Sequence, residues 1–237
     1  MRRNVRRIVA GSLVGLFSIA ADSTGARMIH IVFRHISPDI REGTYAAAPV
    51  KLWRLGTRYA RLEEAPDAEN GIHGLVITNE PDSWLINRYQ NAGIHIVDPG
   101  PSFNVLVPIF PLRDGSELSK LEFGNESAFF RSHGAARKPD EAIDGVVCET
   151  YELKMDGELL KLHVRKDEGR PWQLSRISAK DPSTIRYEMY LNNLPPDLSL
   201  FVPPKEVVIR EAPEPSTPSE DPEERPASPS IPLARAS

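Results

Sequence analysis

The sequence predicts a mainly β fold: an antiparallel sheet, sandwich or barrel of roughly nine or ten strands, with one or two short helices packed over the sheet. Three observations predict it. Runs rich in β-branched and aromatic residues recur at about 8–12-residue spacing, the habit of an antiparallel sheet, sandwich or barrel. Turn residues separate them, above all Asp156-Gly157, the strongest short-range hairpin signal. Only one stretch, Gly115 to His133, carries apolar residues at roughly helical spacing.

The strands follow in chain order. Met28 to His35 is β-branched and apolar on both faces at its centre. Val50 to Leu55 and Arg58 to Leu62 are split by Gly56-Thr57, the spacing of a tight hairpin. Leu75 to Thr78 and Trp84 to Tyr89 flank the turn cluster Asn79 to Ser83. Ile94 to Val97 stops at Asp98-Pro-Gly-Pro101, because proline cannot donate to a ladder. Then comes the helical stretch, with Leu118, Leu121, Phe123, Phe129 and Phe130 interrupted by Gly124. Val146 to Met155 meets Leu159 to Val164 across Asp156-Gly157, Trp172 to Ser178 follows, and Thr184 to Leu191 closes the series.

The two ends differ from this body. Arg2, Arg3, Arg6 and Arg7 precede an uncharged apolar run, Ile8 to Ala20, with small residues at Ser18 and Ala20. That is the pattern of a secretory signal peptide, so residues 1–20 are expected to be a signal and the mature chain to be exported, periplasmic or secreted. The run is too short for a transmembrane span, which needs about 20 residues. From Glu211 to Ser237 the chain is rich in Pro, Ser and Glu, too poor in apolar surface to offset the entropy of ordering it. Residues 211–237 are therefore expected to be a disordered tail, and 21–210 a single domain. The whole chain of 237 residues carries a formal charge of −4, and loss of the four leader arginines takes it to −8. Such a balance argues against a nucleic-acid partner.

A family resemblance rests on the C-terminal half. Leu153-Lys-Met-Asp-Gly-Glu-Leu-Leu-Lys-Leu-His163 is followed by Lys166-Asp-Glu-Gly-Arg-Pro171, a strand through Tyr187, and Leu200-Phe-Val-Pro-Pro204. Together with Trp53-Arg54 and Arg58-Tyr-Ala-Arg61, this order resembles the lipoprotein-localisation superfamily, the LolA- and LolB-like periplasmic carriers and their relatives. The resemblance implies a half-open antiparallel barrel of about 11 strands with helices over an apolar concave face. The chain departs from that pattern in its proline-rich tail and its Asp98 to Pro111 loop.

Chemistry-bearing motifs are scarce. There is no Gly-x-Ser-x-Gly elbow, and Cys148 lies within an apolar strand, where a free cysteine is ordinarily core. No two of the six histidines lie within four residues, and His-Glu-x-x-His and Cys-x-x-Cys are absent. His95 with Asp98, or His30 with His163, are the pairings that folding could bring together. Glu63, Glu64, Asp67 and Glu69 lack the oxygen-ligand spacing of a calcium loop. No enzyme activity, catalytic residue, metal or cofactor is expected.

What remains is an apolar binding surface. Alternate residues of a strand share a face, which groups Trp84 with Ile86, Leu160 with Leu162 and Val164, Trp172 with Leu174, and Tyr187 with Met189. These nine are the candidate lining of a cavity for acyl chains, and equally candidates for ordinary core beneath the helices. The expected function is an exported, non-enzymatic binding protein for lipid or acylated protein. The alternative is a sensor or protein-interaction module on the same scaffold.

Overall fold

The computed structural model describes residues 27–110, 116–178 and 182–212. Among the described residues, twelve strands form one curved sheet that does not close into a barrel. They are β1 (Met28–Ile36), β2 (Val50–Leu55), β3 (Tyr59–Glu63), β4 (Gly74–Asn79), β5 (Asp82–Asn87), β6 (Ala92–Val97), β7 (Ala136–Ile143), β8 (Val146–Met155), β9 (Glu158–Arg165), β10 (Pro171–Ile177), β11 (Ser183–Leu194) and β12 (Val208–Glu211). The helical stretch resolves into a 3-10 turn, Glu117–Lys120, and one α-helix, α1 (Glu126–Ser132). Gly124 separates them at φ +98°, a backbone that side-chain-bearing residues rarely adopt.

Strand β1 lies at the centre, paired with β2 on one side and β11 on the other. Strands β2 to β6 meander outward in one wing, and β11 back to β7 form the other. Asp156 and Gly157 both have positive φ, 52° and 77°, as a two-residue hairpin turn between β8 and β9 requires. The same conformation recurs at Asp144-Gly145 between β7 and β8.

The mainly β expectation holds, with two strands added at the edges. Strand β7 contains Pro139 and mostly polar residues, so its sequence does not read as a strand. Its pairing with β8 skips a register between Lys138 and Glu141, which accommodates the proline at an edge. Strand β12 is short and joins β6 in parallel, the one non-antiparallel pair among those described. Glu211, expected to open the tail, is the last residue of β12, and the Ala212 N–H donates to the His95 carbonyl at 2.8 Å. The expected signal segment, 1–20, and residues 213–237 of the expected tail lie outside the described residues.

Register divides the sheet into two faces. Ile31, Leu52, Leu62, Val76, Leu85 and Ile94 stand in one cross-strand row on the front face. His30, Trp53, Arg61, Ile77, Trp84 and His95 form the neighbouring row on the back. The front face of β1, β2 and β8–β11 is buried beneath a cover that includes Ile109, Phe110, Leu118, Leu121, Phe123, Phe129 and Phe130. The back face of β2–β5 is buried beneath Phe201 and its neighbours Leu200, Val207 and Ile209. Each wing therefore buries a different face. Towards β5 and β6 the front row emerges into solvent, with Leu85 42% and Ile94 44% exposed.

Candidate functional site

The cover, residues 105–110 and 116–133, is stitched to itself and to the sheet by polar contacts. Its two limbs pair through Ile109 N–H to the Leu121 carbonyl at 3.0 Å and Phe123 N–H to the Val107 carbonyl at 3.1 Å. Arg54, on the front face of β2, forms a 2.7 Å ion pair with Glu122 and donates to the Val105 carbonyl at 3.2 Å. Glu122 also accepts from the Val107 N–H at 3.1 Å. A Cβ on Gly124 would stand 2.6 Å from Ile29 Cδ1, the movable end of that side chain, so the positive φ of +98° is the firmer reason for glycine where the cover crosses β1.

The most unusual contact lies deeper. Glu126, the first residue of α1, is 0% exposed. Its carboxyl accepts from the Tyr190 hydroxyl at 2.7 Å, the Tyr187 hydroxyl at 3.0 Å and the Gly124 N–H at 3.1 Å. Burial raises its pKa, opposed by these hydrogen bonds, and burial beside the same carboxyl raises those of both tyrosines. A carboxyl withdrawn from water into an apolar core is costly unless fully hydrogen-bonded, and here three donors hold it.

Both tyrosines stand on β11 because of a bulge. Strand β1 pairs Val32 with Met189 but Phe33 with Tyr187, leaving Glu188 as the extra residue. That places Tyr187 and Tyr190, three apart, on the same front face. A second bulge lies on the neighbouring strand β10, in its pairing with β9: Pro171 pairs with Val164 and Gln173 with His163, so Trp172 is the extra residue. Strands β10 and β11 pair only from Gln173–Arg186 onward. Between the two bulges is a half-open recess of about 180 Å³, bordered by Arg165, Arg170, Trp172, Tyr187, Glu188 and Tyr190, among other residues. The Trp172 indole N–H is buried and finds no acceptor among the described residues.

The structure separates the nine residues singled out by alternation. Leu160, Leu162, Val164, Leu174 and Tyr187 lie together in the front-face core, packed under the cover. Ile86 is buried in the back-face core, and Trp84 packs against that cluster. Trp172 is turned by its bulge to lie between the guanidinium groups of Arg165 and Arg186, 5.4 and 5.0 Å from its ring centre. Met189 is 42% exposed. Alternation groups residues correctly within a regular strand, but bulges split Trp172 from Leu174 and Tyr187 from Met189. It also misses Glu126 and Tyr190. The available signal is Glu126 sharing an i, i+3, i+4 stripe with Phe129 and Phe130, which aims a carboxyl at the core.

Other polar groups have local partners. His95 stacks on Trp84 and bridges Asp82 at 2.8 Å and Glu211 at 2.9 Å, fastening β12 to β5 and β6; it does not meet Asp98. His30 stacks on Trp53, whereas His163 contacts Glu141 at 3.2 Å two strands beyond β11. Glu63 pairs with Arg61 and Arg88, each at 2.9 Å, and Glu64 accepts from the Tyr45 hydroxyl. Cys148 is buried, and burial raises its thiol pKa, which disfavours a reactive thiolate. Among the described residues no group of three or more His, Cys, Asp or Glu is placed to hold a metal ion, and no helix is long and apolar enough to cross a membrane.

No family model matches the sequence, and no curated protein matches it. Solved structures do resemble the fold. An uncharacterized conserved protein from Thermus thermophilus is 9% identical, with 78% of this chain and 91% of that one covered and a TM-score of 0.43. A LolA superfamily protein from Nitrosomonas europaea is 13% identical, covering 75% and 90%, with a TM-score of 0.30. MucB in complex with periplasmic MucA is 12% identical, covering 77% of this chain, with a TM-score of 0.40; this chain spans 57% of that MucB chain. At such scores these are likenesses of coarse architecture, and no activity follows from them.

Proposed function

We propose that the protein is an exported, non-enzymatic binding protein whose cover lifts from the front face to admit an acyl chain, carried by a lipid or an acylated protein. The observation that carries this reading is Glu126. A permanent cover would be held most simply by apolar side chains, since replacing a buried polar network with well-packed apolar groups is often neutral or stabilising. Departures from local consistency of this kind concentrate at functional sites. Lifting the cover would expose Phe33, Leu162, Leu174 and Ile185. An acyl chain covering them would recover about 0.8 kcal/mol for each buried methylene. Closed, the front face is filled core rather than open cavity, so uptake requires the cover to move.

The test is a native mass spectrum of the exported protein, with lipid extraction, alongside uptake of a fluorescent fatty acid. Co-purified acyl lipid and saturable uptake support the reading; absence of both overturns it.

A second reading, a protein-interaction module, is favoured by a different observation. Leu85, Ile94 and Ile96 on β5 and β6, with Val208 on β12, are apolar and exposed next to one another on the front face. Pull-down with Leu85→Ser combined with Ile94→Ser separates the two: a partner lost while acyl uptake is retained supports the module, because acyl binding under the cover does not use that patch.

A further inference from the structure

We infer that the hydroxyls of Tyr187 and Tyr190 are the head-group site for an acyl ligand ending in a free carboxylate, and that Glu126 occupies this site while the cover is closed. The inference rests on the acyl-binding reading above and adds the ligand's chemical class.

The geometry supports it in three steps. First, the two hydroxyls converge on one carboxyl, at 3.0 and 2.7 Å, on its two different oxygens. Two donors spaced to span a carboxylate are a recognition arrangement for that group, and hydrogen bonds to a charged acceptor are about twice as strong as neutral ones. Second, the carboxyl they hold belongs to α1, part of the cover, whereas both donors belong to β11 in the sheet. When the cover moves, Glu126 leaves and the donors stay. They would then be unpaired on an apolar face, a costly state unless an incoming acceptor replaces the one lost. An acyl chain alone cannot do this; a carboxylate at its end can.

Third, a half-open recess adjoins the two tyrosines. Tyr187 and Tyr190 border the recess between the bulges at Trp172 and Glu188. Arg165 and Arg170 stand at the same recess with Glu168 and Glu188, and both arginines pair with Glu168, at 3.1 and 3.7 Å. Bulges commonly re-aim side chains beside functional sites, and without the Glu188 bulge the two tyrosines would point to opposite faces. The recess is far too small for an acyl chain, which would lie along the uncovered front face against Phe33 and Leu174.

The experiment compares palmitate with methyl palmitate, which share a chain and differ in the head group. Affinities are measured by displacement of a fluorescent acyl probe from the full chain. Palmitate is expected to bind at least about tenfold more tightly than its ester. Tyr187→Phe combined with Tyr190→Phe is expected to bring the two affinities together. Equal affinity for acid and ester in the wild type overturns the head-group assignment while the acyl-binding reading stands. Binding of neither compound, to the wild type or to Glu126→Gln, overturns both. Should the double variant lose its far-ultraviolet dichroism, Tyr190→Phe alone makes the comparison, and an undiminished preference for the acid in it overturns the assignment.

Discussion

The Tyr190 hydroxyl donates a 2.7 Å hydrogen bond to Glu126, so a strand of the sheet and the helix lying over it are joined through a carboxyl that water does not reach. The pKa of Glu126 is raised above its ordinary value near 4.5, with burial as the leading cause. Folding therefore favours the protonated form. The stability it contributes is full below the unfolded value and is lost as pH rises through the higher folded one. The melting temperature should fall with rising pH above about 4.5, with a component that Glu126→Gln removes. A pH–stability profile unchanged by the substitution contradicts this.

Arg54 and Glu122 provide the second attachment. Removing Arg54 leaves Glu122 largely buried without its cation, and breaking such a pair costs about 3 kcal/mol. Arg54→Ala should lower the urea midpoint accordingly. Arg54→Met with Glu122→Leu should recover most of that loss and slow uptake of the acyl probe, because the cover is then held by apolar contact alone. Unchanged uptake in the double variant argues against a moving cover.

Gly124 allows the cover to cross β1. A methyl group there meets Ile29 Cδ1 at 2.6 Å and imposes a positive φ on a residue with a Cβ. Gly124→Ala should destabilise the chain by about 1–3 kcal/mol. Pairing it with Ile29→Ala should return only the steric part, measurable as a double-mutant cycle in urea.

His95 governs the attachment of β12. Its pKa is raised, chiefly by its hydrogen bond to Glu211 and then, against the opposing effect of burial, by the one to Asp82. A raised histidine contributes stability that is full below its ordinary 6.5 and lost as pH rises through the folded value. Amide exchange at Ile209 to Ala212 should accelerate, beyond the intrinsic pH effect, as pH rises through this range. His95→Gln should abolish that excess. An excess that survives the substitution rules out this role for His95.

The legible parts of the fold are those fixed locally. Asp156-Gly157 announces its hairpin because few other residue pairs accept two positive φ angles, and the Leu118–Phe130 pattern marks the cover. Pro139 hides β7, since a proline in a polar run resembles a loop until its edge position is known. The bulges at Trp172 and Glu188 arise from pairing between distant strands, and no local pattern records them. They are why alternation assigns Trp172 and Met189 to faces they do not occupy. Trp84 and Ile86 fall in with the front-face residues for a similar reason. Period two reveals that a face is apolar, but not which of two covers lies over it. Glu126 is legible in principle, as a carboxyl in line with Phe129 and Phe130, but its meaning requires Tyr187 and Tyr190 from another part of the chain.

The most direct test of a cover that lifts is hydrogen–deuterium exchange of the full chain, with and without saturating palmitate. The account predicts faster exchange in Glu117 to His133, where amides such as Phe129 and His133 are now hydrogen-bonded within the cover, with β8 to β11 unchanged or further protected. Saturation by palmitate with unaltered exchange throughout 117–133 would contradict it.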